Sequence, residues 1–204
     1  MPAARYKGAG LWVALATLLV VWTSPAQAQI DFRGFFPTDT EGAYTGGYEI
    51  DLVVDQGLDF GLVLAGQPDP VVVTIDDVDQ IGILQITAVR YMDVYVSVNA
   101  PLVLESVETT DEIPVTITVA YANTGSSSSP ATAIEMPGLQ GRLPVLQRTG
   151  GPPGPPPVPP HANYVPPRET LFLYFYGSLG PVPSGIQAGA YEAQIVVQVN
   201  YEDI

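Results

Sequence analysis

Acidic side chains are the residues whose type and spacing in this sequence could do chemistry. The densest group is Asp76, Asp77 and Asp79, and carboxylate oxygens on one loop are ligands that Ca²⁺ prefers. The segment lacks the glycine at the sixth position and the distal glutamate of a calcium loop. We therefore interpret it as a solvated turn between two strands, and calcium binding there stays open.

Catalytic groups are hard to assemble from the remaining residues. Glycoside hydrolysis needs two carboxylates about 5 to 10 Å apart with separated pKa values. The candidate acids are Glu105, Glu108, Glu135 and Glu169. Nothing in the sequence brings them together. The serines at 126–129 lack a G-x-S-x-G elbow, the single histidine, His161, lies among prolines, and the chain has no cysteine. We expect no enzyme, with no catalytic, cofactor-binding or metal-binding residues and no cofactor.

Aromatic residues form the other candidate site, because 11 Tyr and 6 Phe could supply a stacking surface. Alternation puts Phe172, Tyr174 and Tyr176 on one face of a strand, with leucines and Phe175 on the other. One of these faces must lie outside the core. It would be covered by the chain's own insertion, which we favour, by another subunit, or by a ligand contacting Phe172, Tyr174 and Tyr176.

The elements that must position these residues are short strands. Alternating or apolar runs bounded by Gly, Pro, Asp or Asn indicate about eight of them. They are residues 48–55, 58–65, 71–75, 81–89, 92–99, 113–121, 170–176 and 190–201. No window of comparable length has a helical period, so the sequence predicts an all-β fold.

One domain with one core follows from about 150 residues of such strands. The absence of interleaved helices argues against a parallel sheet, which needs long crossovers. We predict an antiparallel β-sandwich over residues 48–204, in preference to an eight-stranded barrel.

The first 28 residues have the pattern of a secretory signal peptide. Arg5 and Lys7 precede an apolar run at 11–22, and Ala26-Gln27-Ala28 gives a small-x-small cleavage site. Twelve apolar residues are too few to cross a bilayer core of ~30 Å. We expect a mature chain that begins at Gln29, has no membrane span and is secreted through the periplasm.

Charge limits the partners of that mature chain. The sequence has 21 acidic and 7 basic residues, and cleavage would remove two of the basic ones, leaving a net charge of about −16. A field of this sign repels nucleic acid and anionic membrane surfaces. We expect neither as a partner.

A segment of different composition interrupts the strands at 124–168. It begins with a serine run at 126–129 and reaches a Pro/Gly-rich stretch at 150–160. Proline cannot supply ladder hydrogen bonds, so the sequence predicts an exposed insertion that adds little to the core. The exceptions would be apolar residues that shield the aromatic strand, namely Ile134, Met136, Leu139, Leu143, Val145 and Leu146.

Several segments resemble a family. They are Leu58-Asp59-Phe60-Gly61, the following Val63-Leu64-Ala65-Gly66, the 71–75 strand, Ala188-Gly189-Ala190-Tyr191, and the Val-rich ending 196–201 that closes in Asn-Tyr. Together they are similar to secreted bacterial domains of the DUF4402 type, which in turn are similar to spore coat U type pilins of archaic chaperone-usher systems. The resemblance covers roughly 48–122 and 170–202. It implies an immunoglobulin-like sandwich, an extracellular structural role, and a periplasmic chaperone and usher as partners. The Pro-rich insertion and the lack of cysteines depart from it.

The segment 29–47 has the form of a donor strand on a tether. Ile30, Phe32, Gly34 and Phe36 share one face by alternation, and 37–47 follows as a linker. Such a strand could pair with the open sheet edge of a second copy. An extra strand of its own sandwich and a frayed end are the alternatives.

The leading functional hypothesis is a non-enzymatic structural subunit of a bacterial surface fibre, pilus or coat that self-associates. The alternative is a monomeric secreted module that binds a polysaccharide or protein through the insertion and the aromatic strand.

Overall fold

The computed structural model describes residues 26–34, 48–90, 92–125, 127–147 and 165–201, with the backbone alone for residue 26 and for 29–34. Twelve strands and one short 3-10 turn (Pro130–Thr132) make up this part of the chain. The strands are β1 Ala26–Gly34, β2 Asp51–Gln56, β3 Leu58–Val63, β4 Val71–Val73, β5 Gly82–Val89, β6 Asp93–Asn99, β7 Val103–Ser106, β8 Glu112–Ala122, β9 Ile134–Glu135, β10 Gln140–Pro144, β11 Arg168–Leu179 and β12 Ala190–Tyr201.

These strands form two layers. One has the order β10, β6, β12, β1 and β3, with β7 beside the start of β12. The other has the order β9, β8, β11, β5 and β2, with β4 beside the end of β11. Every pairing is antiparallel except that of β1 with β12. The predicted all-β sandwich is confirmed.

Strand β8 belongs to both layers. Its first three residues, ending at Pro114, pair with β7, and the rest pairs with β11. Pro114 has no N–H to donate to a neighbouring strand. Strand β8 changes its partner from β7 to β11 directly after this residue. The two layers are thus joined through one continuous strand.

The core lies between the layers and follows the alternation of the strands. Along β12 the side chains of Tyr191, Ile195, Val197 and Val199 are buried, whereas Glu192, Gln194, Gln198 and Asn200 are exposed. From the other layer, Leu84, Ile86, Leu173 and Phe175 are buried against them. The side chains of β12 therefore alternate between the core and solvent, as in a half-buried strand.

The insertion is the main departure from the predicted layout. Residues 134–147 contain β9 and β10, and β10 pairs with five residues of β6. Met136, Leu143 and Val145 are at most 4% exposed and belong to the core. These three are among the six apolar residues that the prediction named as exceptions, whereas Ile134 and Leu139, also named, are exposed. The Pro-rich half falls in 148–164, outside the described residues.

Candidate assembly site on the N-terminal strand

Strand β1 lies between two neighbours. It pairs in parallel with β12, from Gln27 opposite Ala190 to Gly34 opposite Val197, and its first five residues also pair with β3. The N-terminal segment is therefore a strand of the chain's own sandwich, which is one of the two alternatives to donation. Of the predicted donor residues, Ile30 lies opposite Ala193 and Leu58, Phe32 opposite Ile195 and Gly34 opposite Val197, whereas Phe36 falls outside the described residues.

A β-bulge in β3 shapes this site. Ala28 faces Gly61 and Gln29 faces Asp59, so Phe60 is the extra residue between them. Gly61 has φ of +71°, a left-handed conformation that glycine adopts without strain. The Asp59 carboxylate accepts a hydrogen bond of 2.8 Å from the Gly61 N–H. The Asp-x-Gly sequence thus kinks β3 and directs Phe60, 2% exposed, into the core.

The opposite wall of the site is the start of β12. Tyr191 is fully buried and its hydroxyl donates a 2.8 Å hydrogen bond to the Gln187 carbonyl. The Ala190 carbonyl accepts a bond from Val107 N, and the Gly189 carbonyl accepts one from Gln27 N, each of 3.0 Å. The start of β12 is therefore held by the loop that precedes it, through Gln187, and by Val107, which directly follows β7.

Residues 35–47 connect β1 to the rest of the sandwich and lie outside the described residues. The chain is described again at Tyr48, which is buried with Val89, Met92 and the half-buried Tyr201. The Tyr201 hydroxyl accepts a 2.9 Å bond from Val89 N, and burial raises its pKa above the usual value. This small cluster anchors the far end of the connection.

Arg168 reinforces the same end of the molecule. Its Nη2 donates to the carbonyls of Glu49 and Thr87 at 2.7 and 2.9 Å and lies 2.8 Å from the Asp51 carboxylate. Glu49 and Asp51 come shortly after the connection 35–47. The Arg168 side chain therefore ties this part of the chain to β5 and to β11, which contains Arg168. The residues directly after the connection are therefore held in the sandwich.

The aromatic strand is covered on both faces. Phe172 and Tyr174 are 3% and 0% exposed, and their rings stack with centroids 6.5 Å apart. The Tyr174 hydroxyl accepts a 2.8 Å bond from Ser129 N and contacts the Ser128 hydroxyl at 3.1 Å. Burial, followed by the nearby Glu135 carboxylate, raises the pKa of Tyr176.

Residues 127–136, which we call the strap, supply these contacts. Ala120 and Ala122 of the neighbouring β8 carry small side chains opposite Tyr174 and Phe172, which leaves room for it. The interpretation that the insertion covers this face agrees with the structure. Phe172, Tyr174 and Tyr176 are consequently not a free contact surface in this arrangement.

The acidic turn is held by its own hydrogen bonds. Asp77 accepts bonds of 2.7 Å from both the N–H and the hydroxyl of Thr74, and these bonds lower its pKa. Within the described ranges, no group of three or more His, Asp or Glu side chains could hold a metal ion. The Asp77 carboxylate therefore closes a turn with Thr74.

The candidate catalytic acids lie on different elements: Glu105 on β7, Glu135 on β9 and Glu169 on β11. Glu105 is exposed and lies directly opposite Glu192 on one side and Glu112 on the other. Like charges in opposite positions repel each other. Glu105 and Glu192 line a depression on the outer surface of this layer, together with Leu102, Val103 and Gln194.

No protein-family model matches the chain, and no curated protein matches it. The resemblance to DUF4402 domains and spore coat U type pilins therefore stays a prediction. Among the described residues, no helix is long and apolar enough to span a membrane.

Proposed function

We propose that this protein is a non-enzymatic, secreted structural subunit of a bacterial surface fibre, pilus or coat, in which copies are joined by exchange of β1. The observation that carries the proposal is the place of β1: a terminal strand, paired on both edges, attached through the thirteen-residue connection 35–47. Among the described strands β3 pairs only with β1, so a β1 that leaves its groove is replaced there by the β1 of another copy.

Exchange conserves the interactions that β1 makes. A copy's β1, beginning at Gln29 after the predicted cleavage, would form in the same groove the six pairings with β12 from Gln29 to Gly34 and the two pairings with β3 from Gln29 to Ile30. Swapping an identical element between copies therefore costs little beyond the entropy of association. A head-to-tail exchange generates open filaments when the rotation between copies does not close, whereas a reciprocal exchange between two copies gives a closed dimer.

The other sheet edges oppose pairing between copies. Edge strand β2 is interrupted by a bulge at Asp55 and carries exposed Asp51. Edge strand β10 ends in Pro144, and its Arg142 lies 2.8 Å from the Asp93 carboxylate. Bulges, charges and proline are the features that block edge-to-edge association. This favours the groove of β1 as the route of assembly.

A secreted location rests on the signal-peptide pattern, and the chaperone and usher rest on the family resemblance. A chaperone would protect an emptied groove between β3 and β12 until a copy fills it. The alternative, a monomeric module that binds through the aromatic strand, is disfavoured by the burial of Phe172 and Tyr174.

Disulfide trapping tests the proposal in a chain that has no cysteine of its own. Asp31 and Gln194 are partners in the register of β1 and β12, and paired Cα atoms lie at a distance of about 5 Å that a disulfide can bridge. Mature Asp31→Cys and Gln194→Cys chains are purified separately, mixed under associating conditions and oxidised. We expect a disulfide-linked dimer on a non-reducing gel, because it requires β1 of one copy beside β12 of another.

The matched control replaces Gln194→Cys by Gln198→Cys, an exposed position four residues further along the same face of β12. The control mixture should form at least tenfold less disulfide-linked dimer than the mixture with Gln194→Cys. Equal trapping by the two mixtures, or strictly monomeric protein in light scattering at all concentrations, would overturn strand exchange.

A further inference from the structure

Two overlapping small-x-small motifs stand at the end of the predicted signal peptide. They are residues 24–26, Ser-Pro-Ala, and residues 26–28, Ala-Gln-Ala. Both have small residues at the first and third positions, which is what a signal cleavage site requires. The predicted cut after Ala28 uses the second motif. The motifs alone therefore allow a mature chain that begins at Gln27 as well as one that begins at Gln29.

The side chain of Ala28 distinguishes the two cuts, because it belongs to the core. It is 0% exposed, and the residue lies opposite Gly61 of β3 and Tyr191 of β12. Tyr191 is itself fully buried. Removal of a buried side chain costs its packing and leaves its neighbours uncovered. A cut after Ala28 would therefore take a residue out of the sandwich.

Gln27 marks where the strand becomes fully paired. It is the first residue of β1 with partners on both edges, Ala190 and Leu62, whereas Ala26 pairs with β3 alone. The Gln27 N–H also donates a 3.0 Å hydrogen bond to the Gly189 carbonyl. Its side chain is exposed. A chain can thus begin at Gln27 without burying a charged terminus, which would be costly.

We infer that signal peptidase cleaves the bond between Ala26 and Gln27, so that the mature chain begins at Gln27 and keeps Ala28. The peptidase acts on the extended precursor before folding, and of the two bonds that fit its motif this one leaves the sandwich complete. Hydrolysis adds water across the bond: Ala26 leaves with the new carboxylate, and Gln27 keeps the nitrogen as an ammonium group. The ammonium still has N–H donors for the Gly189 carbonyl, and a charged donor strengthens such a bond.

The inference rests on secretion, which is one part of the proposed function, and it also bears on strand exchange. An exchanged β1 that begins at Gln27 would make eight pairings with β12 and four with β3, compared with six and two for a strand that begins at Gln29. Each copy would bring its own Ala28 to the buried position in the groove. The place of the cut thus determines how firmly one copy holds the next.

Mass spectrometry of the N-terminal peptide of the exported protein tests the inference, and we expect a chain that begins at Gln27. A precursor with Ser24→Leu loses the first motif within the part that is cut away, so its exported chain should begin at Gln29. Thr23→Leu is the matched control, because residue 23 lies outside both motifs. Its exported chain should begin at Gln27.

Purified chains that begin at Gln27 and at Gln29 test the physical reason. The midpoint of thermal unfolding should be higher by about 3 °C for the longer chain, and hydrogen exchange at residues 61–62 and 190–191 should be at least tenfold slower. In the longer chain, Ala28→Asp should abolish both differences because it buries a carboxylate. Gln27→Asp adds the same charge at an exposed position and should preserve them.

The outcomes separate this inference from the proposed function. An exported chain that begins at Gln29, or at any residue other than Gln27, would overturn the inference and leave strand exchange intact. Equal unfolding midpoints and exchange rates for the two chains would overturn it as well. A protein that stays in the cell with residues 1–25 still attached would overturn both the inference and the secretion on which it rests.

Discussion

Gly177 shows how one residue sets the approach of two strands. Its φ is +158°, and a Cβ built on it would lie 1.9 Å from the Thr116 carbonyl oxygen. Real Cβ atoms do not come this close to backbone, so β8 and β11 can pair here only because position 177 has no side chain. The pairing of Gly177 with Ile117 depends on it.

Replacing Gly177 by alanine should therefore lower the free energy of unfolding by about 3 kcal/mol or more, as in overpacked cores. The Thr116 carbonyl oxygen belongs to the backbone, which cannot rotate away as a side chain could. Chemical denaturation of the purified variant measures the change.

Gly185→Ala is the control for this substitution. Gly185 has no positive φ and no atom within 4 Å of a built Cβ, so alanine there should change the free energy of unfolding by less than about 1 kcal/mol. Similar values for the two variants would mean that the β8–β11 contact yields more readily than its geometry indicates.

At the scale of elements, the insertion contributes structure where its composition predicts none. Asn123, the one polar residue among the fully buried described side chains, donates from Nδ2 to the Pro144 carbonyl at 2.8 Å, and its own carbonyl accepts from Gln147 N. These bonds tie the end of β10 and the residues after it to Asn123, which directly follows β8. The first half of the insertion is thus an edge strand with a strap, whereas the second half is rich in proline.

Two deletions separate these halves. Replacing 127–147 by a short Gly/Ser turn removes buried Met136, Leu143 and Val145, each worth about 2 to 5 kcal/mol when truncated, which is comparable with the whole stability of a domain. We expect loss of cooperative thermal unfolding. Deleting 150–160 alone should leave the transition cooperative, because loop-closure entropy changes by only about 0.6 kcal/mol per doubling of length. Cooperative melting of the first deletion would show that β10 and the strap are dispensable.

The sequence predicts the long strands well and the short ones poorly, for a physical reason. All eight predicted runs contain strands. Seven of these strands have six or more residues, long enough for a pattern to appear, and the eighth, β4, has only three residues, all valines that favour strands. β7 has four residues and β9 two, too few for a period to appear, and β10 contains both Gly141 and Pro144. Their strand conformation comes from neighbours that supply partners, which no local pattern encodes.

The candidate site was predictable in part. The alternation of Ile30, Phe32 and Gly34 indicates a strand, and β1 includes these residues. Its pairing with β12 joins residues 163 apart in sequence, such as Gln27 and Ala190, so local pattern could not distinguish a strand of the same sandwich from a donated one. Ala26–Ala28 were hidden because the same small residues also fit a cleavage motif.

For the whole molecule, charge controls how copies approach one another. A net charge of −14, and a larger one after cleavage, makes identical molecules repel over roughly the Debye length, about 30 Å at 0.01 M salt and 8 Å at 0.15 M. Association of the mature chain should therefore increase at least severalfold when NaCl is raised from 10 to 150 mM, measured by light scattering at fixed protein concentration. A decrease in association would indicate that ion pairs between copies dominate. As a control for specific ion effects, association should be equal in NaCl and KCl.

The parallel pairing of β1 with β12 also determines how the sandwich bears mechanical load. The N-terminal end of β1 lies beside Ala190, while β12 continues past Gly34 of β1 to Tyr201. Tension applied to the N-terminal end of β1 and the C-terminal end of β12 is thus directed along the strands and shears the pair. In shear, the hydrogen bonds across the eight paired positions resist together, whereas an antiparallel pair pulled at neighbouring ends opens one bond at a time. The direction of a single strand thus gives the sandwich its high-resistance pulling axis.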